Sequence, residues 1–384
     1  MLKDKQCFDT IFANPEIGND ASRILLIQPV FQEEDLEEEY QLIRQLSGRT
    51  DFQLVPVPVS NWNEDLAPWP APPVFGKEPF GAGASETLQR ILEILPDAAD
   101  AVYLGGYSLA GFFALWAAYQ TDRFDGVAAV SPSVWYPGWI DLAEKQVCRS
   151  RSVYLSLGTK EEKTRNQTMA RVGSCIRRMH ALLPETSALE WNEGNHFRNP
   201  ALRTAKGFAW LLKQAPIRTE RLVLKPNGPE NLESTFAYTG DPETTRWMVY
   251  LPHETIEETK DFLQKAAREW RKTQPGYYEF AVWKDGIHIG AVSLYLYDEG
   301  RTGELGWIFN KAYQHQGFAL EAAQALKAYA EKTLHIHNFR AHCDAENTAS
   351  CRIMERLGMH KVSTHGGRHN KQSAEERMEY MYES

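Results

Sequence analysis

The sequence predicts an α/β fold in two parts: a parallel sheet sandwiched by helices, followed by a mixed α+β unit. Three observations lead there. Between about residues 23 and 213, short wholly apolar runs alternate with helical patterns, as strands buried on both faces require. At Gln214-Ala215-Pro216-Ile217 a proline stops a helix and the texture changes. Beyond it, apolar and polar residues alternate on either side of Asp285-Gly286, which marks an antiparallel hairpin with one buried face. The division therefore falls at residues 1–215 and 216–384, and a chain of 384 residues suits two domains.

In the first part, Ile24-Leu25-Leu26-Ile27 and the run from Phe52 to Val59 read as strands. Ala101-Val102-Tyr103-Leu104, Val127-Ala128-Ala129-Val130, Val153 to Leu157 and Leu189-Glu190-Trp191 continue the series. Leu88, Ile91, Leu92 and Leu95 form one helical stripe, and Leu202, Ala205, Ala209 and Leu212 another. The acidic run Glu33 to Glu39 suits the positive start of a helix. In the second part Arg221-Leu222-Val223-Leu224 opens a strand, and Thr255 with Glu258 makes a capping box for a helix to about Lys272. Strands on either side of Asp285-Gly286 and from Glu304 to Asn310 precede a helix from Phe318 to Thr333. A strand from Phe339 to Cys343, a helix from Thr348 to Leu357 and a strand near Met378 to Tyr382 close the chain.

Composition excludes several functions. With 43% hydrophobic and 24% charged residues, the chain has the profile of a soluble globular protein. A formal charge of −9 without a basic stripe argues against a nucleic-acid partner. The cysteines Cys7, Cys148, Cys175, Cys343 and Cys351 are scattered and form no CxxC pair, so neither a disulfide framework nor a zinc site is expected. His335 and His337 lack a carboxylate or cysteine at ligand spacing, and no metal is expected. No leader-like apolar run opens the sequence and no stretch has the length of a membrane span, so a cytoplasmic protein without membrane partners is expected.

The first chemical signature is Gly106-Tyr107-Ser108-Leu109-Ala110, standing between a buried strand and the apolar helix Phe112 to Ala118. Small residues two positions either side of Ser108 permit a tight turn that lifts its hydroxyl above the sheet. The same turn aims the Leu109 N–H, at a helix start, into that space as an oxyanion donor. A serine nucleophile needs a base, and the base an orienting acid. Glu161 and Glu162 follow one strand end and Asn195-His196-Phe197 another, giving Ser108, Glu161 and His196 as a triad, with Glu162 the alternative acid. Ser131 and Ser133 read as ordinary loop residues, and Trp62, Trp69 and Trp135 as either the lining of an acyl or leaving-group pocket or, as is commoner for tryptophan, core.

On these residues, with Gly158-Thr159-Lys160-Glu161, the region from about 20 to 213 resembles the α/β-hydrolase superfamily, in its esterase-like branch. The resemblance implies an ester or acyl substrate and a second oxyanion donor in the loop after the first strand, around Val30 or Phe31. The fold would be abbreviated, lacking the usual opening hairpin, and Ala110 replaces the customary second glycine.

The second signature is Gln314-His315-Gln316-Gly317-Phe318-Ala319, a Q/R-x-x-G-x-G/A loop between a strand and a helix. Backbone N–H groups of such a loop, backed by the helix dipole, suit a pyrophosphate. With Thr219 to Leu224, Gly303-Glu304-Leu305-Gly306-Trp307-Ile308, Glu321-Ala322, Asn347 to Ser350 and Glu355 to Met359, the region from Arg218 onward resembles the GNAT superfamily of acyl-CoA-dependent N-acetyltransferases. Within that superfamily the resemblance is to the branch that acetylates ribosomal-protein N-termini. The resemblance implies acetyl-CoA as cosubstrate and direct attack by a small-molecule or peptide amine. It makes Glu304 a candidate base and Ser350 a candidate proton donor. The backbone of Trp307, Ile308 and Phe309 would meet the acetyl and pantetheine portion, and Asn347 would lie on the cofactor side. Two functions stay open for the first part: a working serine hydrolase, or a non-catalytic module that binds substrate for the transferase.

Overall fold

A computed structural model describes residues 12–13, 23–32, 34–74, 76–96, 98–250 and 252–384. Cys7 and Glu33, named above, lie outside them. The chain divides into two compact units, Met1–Ala215 and Pro216–Ser384.

In the first unit the strands are β1 (Phe12–Ala13), β2 (Ile24–Phe31), β3 (Phe52–Val59), β4 (Ala101–Tyr107), β5 (Gly126–Val130), β6 (Ser152–Gly158) and β7 (Ser187–Asn192). The helices are α1 (Glu37–Ser47), α2 (Trp62–Asp65), α3 (Ala84–Ile94), α4 (Leu109–Gln120), α5 (Trp139–Lys145), α6 (Gln167–Ala170), α7 (Val172–Leu182) and α8 (Pro200–Leu212). The sheet order is β1-β3-β2-β4-β5-β6-β7, and β2 to β7 run parallel.

Each strand feeds two cores because successive side chains point to opposite faces. Ile24 and Leu26 pack with Tyr40, Ile43 and Phe208, whereas Leu25 and Ile27 pack with Ile91, Phe112 and Leu115. Helix α4 is buried from Leu109 to Tyr119, on every side, and so shows no amphipathic stripe. Burying each of its Phe112, Phe113 and Leu115 side chains contributes roughly 1.5–3 kcal/mol. That anchors the turn at its N-terminus. The two-residue β1 pairs antiparallel with β3, so a minimal antiparallel edge precedes the first parallel strand.

The second unit holds β8 (Ile217–Arg218), β9 (Val223–Pro226), α9 (Leu232–Thr239), α10 (Ile256–Arg271), β10 (Tyr277–Lys284), β11 (Ile287–Tyr297) and β12 (Thr302–Phe309). It continues with α11 (Phe318–Thr333), β13 (Asn338–Asp344), α12 (Thr348–Arg356), β14 (His360–Arg368) and β15 (Arg377–Glu383). The sheet order is β14-β15-β13-β12-β11-β10-β9-β8. At the hairpin, Asp285 and Gly286 both take positive φ, 48° and 79°, as a type I′ turn demands. The Thr255 hydroxyl caps α10 by accepting from the Glu258 N–H.

One pair of neighbours in this sheet is parallel. Strands β12 and β13 pair only from Thr302↔Asn338 to Glu304↔Arg340. Beyond Glu304, β12 keeps β11 as its partner to Phe309, and the sheet parts on the β13 side.

Candidate active sites

Ser108 occupies the turn from β4 into α4 with φ 59° and ψ −117°, a conformation that costs a non-glycine residue free energy. The turn is held because the Ser108 N–H donates to Val130 O at 3.0 Å and Ser108 O accepts from Phe112 N–H at 3.0 Å. Gly106 is needed for space: a β-carbon there would lie 2.7 Å from the Ala110 β-carbon.

Around that turn a continuous hydrogen-bonded chain assembles. Ser108 Oγ lies 3.0 Å from His196 Nε2, and His196 Nδ1 lies 2.7 Å from Glu161 Oε2. With Glu161 ionised, Nδ1 carries the proton and donates to it, and Nε2 accepts from the serine hydroxyl. Burial pushes the Glu161 carboxyl up, but the hydrogen bond and charge of His196, with Ser131 and the Gly158 amide, outweigh it and hold the pKa below the usual carboxylate range. Glu162 faces elsewhere and pairs with Arg177 at 3.0 Å. Of the two acids, Glu161 is the one that meets the histidine.

The Leu109 N–H has no acceptor among the described residues and opens α4, as an oxyanion donor requires. Val30 and Phe31 differ from expectation. They are the last residues of β2 rather than loop residues, because the register with β3 runs unbroken to Phe31↔Val59. Gln32 N–H donates to Val59 O at 3.2 Å. Ladder alternation therefore turns the Phe31 N–H away from β3, toward the side where pairing with β4 ended at Ile27↔Leu104. Phe31 is the better placed of the two; its ring meets Trp62 edge-on at 6.4 Å. Trp135 is a core residue, and Trp69 donates its indole N–H to Pro137 O at 2.8 Å.

Three residues that sequence reasoning missed complete this site. Ser131, read as an ordinary loop residue, donates to Glu161 Oε1 at 2.8 Å. Tyr107 OH donates to His196 O at 2.6 Å. Arg203, buried on α8, donates to Glu161 Oε1 at 3.0 Å and Tyr107 OH at 3.0 Å. Its other nitrogen donates to Glu193 O at 3.1 Å and Asn195 O at 3.0 Å, gripping the histidine loop. Its only sequence trace is an arginine in a largely apolar helix. Arg203→Met is expected to destabilise the first unit by about 3–5 kcal/mol in a urea titration, since it strips one partner from a buried ion pair. Arg203→Lys should rescue little, because one ammonium cannot reproduce the fork. An unchanged midpoint would show these bonds to be dispensable.

In the second unit the segment Gln314–Ala319 leads into α11. His315 and Gly317 take positive φ of 60° and 84°, and Gly317 is the N-cap. The N–H groups from His315 to Ala319 have no acceptor among the described residues, and they stand at the positive end of a 16-residue helix. Such an unsatisfied amide cradle fits a diphosphate. Gln314 and Gln316 brace it: their side-chain amides donate to Phe309 O at 2.9 Å and Ala312 O at 3.0 Å. Arg221, quoted above only as part of a motif, donates to Gln316 O at 3.1 Å and to Glu321 Oε2 at 2.7 Å. Its guanidinium lies 4.6 Å over the Phe318 ring. It closes the cradle against the start of the domain.

Trp307, Ile308 and Phe309 form the free lip of β12 where the sheet parts. The Trp307 indole N–H donates to Ser350 Oγ at 3.2 Å, so that hydroxyl is oriented. Asn347 Oδ1 accepts from Ser350 N–H at 3.2 Å, capping α12 and leaving its amide N–H₂ for a ligand.

Glu304, the candidate base, is already engaged in ion pairs. It pairs with Arg340 at 2.9 Å and with His342 at 3.4 Å. Burial pushes its pKa up, but His342 and Arg340 outweigh that and hold it below the usual range, which weakens it as a proton acceptor. The arrangement clamps β12 to β13 at the point where they separate. His342 is in turn pushed up, chiefly by its hydrogen bond to Glu304. Stability from the depressed carboxyl is present above its ordinary value of 4.5, and that from the raised imidazole is present below its ordinary 6.5. Glu304→Gln is therefore expected to cost most stability near about pH 5.5 and less near pH 9, where only Arg340's share remains. Urea titrations at both values check this; an equal loss at each would remove His342 from the clamp.

Among the described residues there is no group of histidine, cysteine and carboxylate side chains fit to hold a metal. No helix among them is long and apolar enough to cross a membrane.

The sequence profile of the acetyltransferase (GNAT) domain matches residues 221–360. The chain is 32% identical over 147 residues to the uncharacterized N-acetyltransferase YnaD of Bacillus subtilis (strain 168), covering 38% of this chain and 82% of that protein. It is 27% identical over 144 residues to the uncharacterized N-acetyltransferase p20 of Bacillus licheniformis, covering 37% and 81%. A crystal structure of an acetyltransferase (GNAT family) from Bacillus anthracis shares 30% identity over 44% of this chain and 97% of that one, with a TM-score of 0.39. The profile match and the identity to YnaD across most of its length make this chain a member of the GNAT acetyltransferase family, with its family domain at residues 221–360.

Proposed function

We propose that the chain joins two acyl-processing enzymes: an esterase-like serine hydrolase of the α/β-hydrolase type at residues 1–215 and an acetyl-CoA-dependent N-acetyltransferase at residues 216–384. The hydrolase reading rests on one observation, the unbroken chain from Ser108 Oγ through His196 to Glu161 at 3.0 and 2.7 Å. Ser108 attacks the ester carbonyl while His196 Nε2 takes its proton. Glu161 holds the imidazole in the right tautomer and offsets the charge that forms. The Leu109 N–H, with that of Phe31, receives the oxyanion, and His196 returns the proton to the departing alcohol. Water then repeats the cycle on the acyl-serine.

For the transferase, the supporting observation is the row of unsatisfied amides at His315 to Ala319 in a family domain. These amides would hold the diphosphate of acetyl-CoA, which supplies an activated acetyl thioester. Gln314 and Arg221 keep the cradle in shape. Trp307 holds the Ser350 hydroxyl where it can give a proton to a departing thiolate. The acceptor is an amine, on a small molecule or a peptide.

Mass spectrometry after a fluorophosphonate probe tests the first half; an unmodified Ser108 removes the hydrolase. Calorimetry with acetyl-CoA tests the second; no binding heat removes the cradle assignment.

A further inference from the structure

An N-acetyltransferase receives its acceptor as an ammonium ion, and a proton must leave before nitrogen can attack. Glu304 is committed to Arg340 and His342. A second acid lies in the same sheet. Glu279 of β10 is only 5% exposed, and its carboxyl has no hydrogen-bond or ion-pair partner among the described residues. Buried carboxyls are ordinarily paired, so an unpaired one calls for a reason.

Its position supplies one. Asn227 N–H donates to Glu279 O at 2.9 Å, beside the Pro226↔Phe280 pair, so Asn227 stands opposite Glu279 across the antiparallel ladder. Glu279 stands opposite Ser293, and Ser293 opposite Gly306. Directly opposed residues share a face, so Asn227, Glu279, Ser293 and Gly306 form one row across the sheet. That row ends at β12, two residues past Glu304↔Arg340, where pairing with β13 has stopped. Gly306 leaves the end of the row open: a β-carbon there would meet Ser293 Oγ at 2.6 Å. Buried polar atoms line the inner end: Asn227 Nδ2, Thr235 Oγ1 and Tyr238 OH have no hydrogen bond of good geometry among the described residues, which is how a wall that holds water looks.

We infer that Glu279 takes the proton of the acceptor ammonium, relayed through Ser293 and water along the row that ends at Gly306. The inference rests on the reading that acyl transfer occurs where β12 and β13 part. Strands lie about 4.8 Å apart, so Glu279 is about 10 Å from Gly306, too far for direct contact and close enough for one hydroxyl and a water. The ammonium N–H bond breaks toward the relay. Water and Ser293 each accept one proton and pass one on, the carboxylate becomes a carboxylic acid, and the amine keeps its lone pair for attack. Glu279 therefore acts through Ser293 as a positioning residue.

The surroundings keep the acid tunable. Tyr277 on the same strand, Tyr295 on β11, Tyr238 on α9 and Tyr250 between α9 and α10 are close enough for its charge to raise their pKa values, after the larger effect of burial. On this face Lys225 lies over the Trp283 ring, and His288, pushed down to about 4 chiefly by burial and therefore neutral, bonds Ser234 and Gly290 O, so neither is tied to Glu279. Burial alone pushes the carboxyl up to about 8, near the range where a base for an amine works best.

The test is acetyl-CoA-dependent thiol release by the full chain with n-butylamine, 1,4-diaminobutane and a tetrapeptide with a free N-terminus, from about pH 6 to 10. The wild type should gain kcat/KM with pH through a limb near 8. Glu279→Gln should lower it about 10²-fold at pH 7 and lose that limb; with the tetrapeptide, whose α-amine has an ordinary pKa of about 8, it should approach the wild type at pH 10, where that amine is already neutral. Glu279→Asp should keep the limb at reduced rate, and Ser293→Ala should lower the rate with Glu279 intact. A Glu279→Gln profile that superimposes on the wild type, or one that falls equally at all pH values, overturns the proposal. No release by the wild type with any of the three amines overturns the transferase-site reading beneath it instead.

Discussion

Ser108→Ala is expected to abolish ester hydrolysis, lowering kcat/KM by at least about 10³-fold, and to remove the fluorophosphonate adduct. The size follows from what is deleted. Glu161 and His196 stay in place, held by Arg203, Ser131 and Tyr107, but neither can bond to the substrate carbonyl. What survives is the oxyanion pocket alone. Alanine also fits the strained turn no worse than serine, so the thermal midpoint should hold or rise. Acetyl-CoA binding should be unaffected. Hydrolysis that persists in the variant would place the chemistry on another group, and hydrolysis absent from both proteins would favour a binding module.

Gly317→Glu is expected to weaken acetyl-CoA at least about 10²-fold by calorimetry. Two costs combine. A φ of 84° is open to glycine but costs other residues about 1–2 kcal/mol. The new carboxylate then competes with the diphosphate for the same amides and repels it. Gly317→Ala separates these costs: it carries the strain without the charge, and should lose only about tenfold. Equal affinity for all three proteins would mean that the diphosphate lies elsewhere.

Much of both sites was legible in the sequence because their determinants are local. The elbow needs a buried strand, a serine and small residues two positions away, all within Gly106 to Ala110. Helix α11 runs from Phe318 to Thr333 as read, since its start is set by Gly317 and its face by regular spacing. Strand ends located Glu161 and His196. What stayed hidden depends on register and on distant segments. Strand β14 has a mostly exposed, polar sequence without alternation and exists through its pairing with β15. The ion pairing of Glu304 needs β12 beside β13, a parallel neighbour reached only after a helix. Arg203 meets Glu161 across 42 positions, and no spacing rule connects them. The end of β2 was placed too early because its last residues, Val30 and Phe31, follow a proline that usually signals a loop but is tolerated within this strand.

The reach of Arg203 also bears on how the chain comes to life during synthesis. The serine turn, the acid and the histidine loop all precede α8, yet the guanidinium that ties acid to loop arrives with α8. Domains fold as units in the order in which they leave the ribosome. A nascent chain ending before residue 203 thus carries Ser108, Glu161 and His196 without the cation that joins their supports. On the hydrolase reading, Ser108 would then stay unarmed until the last helix of its unit docks.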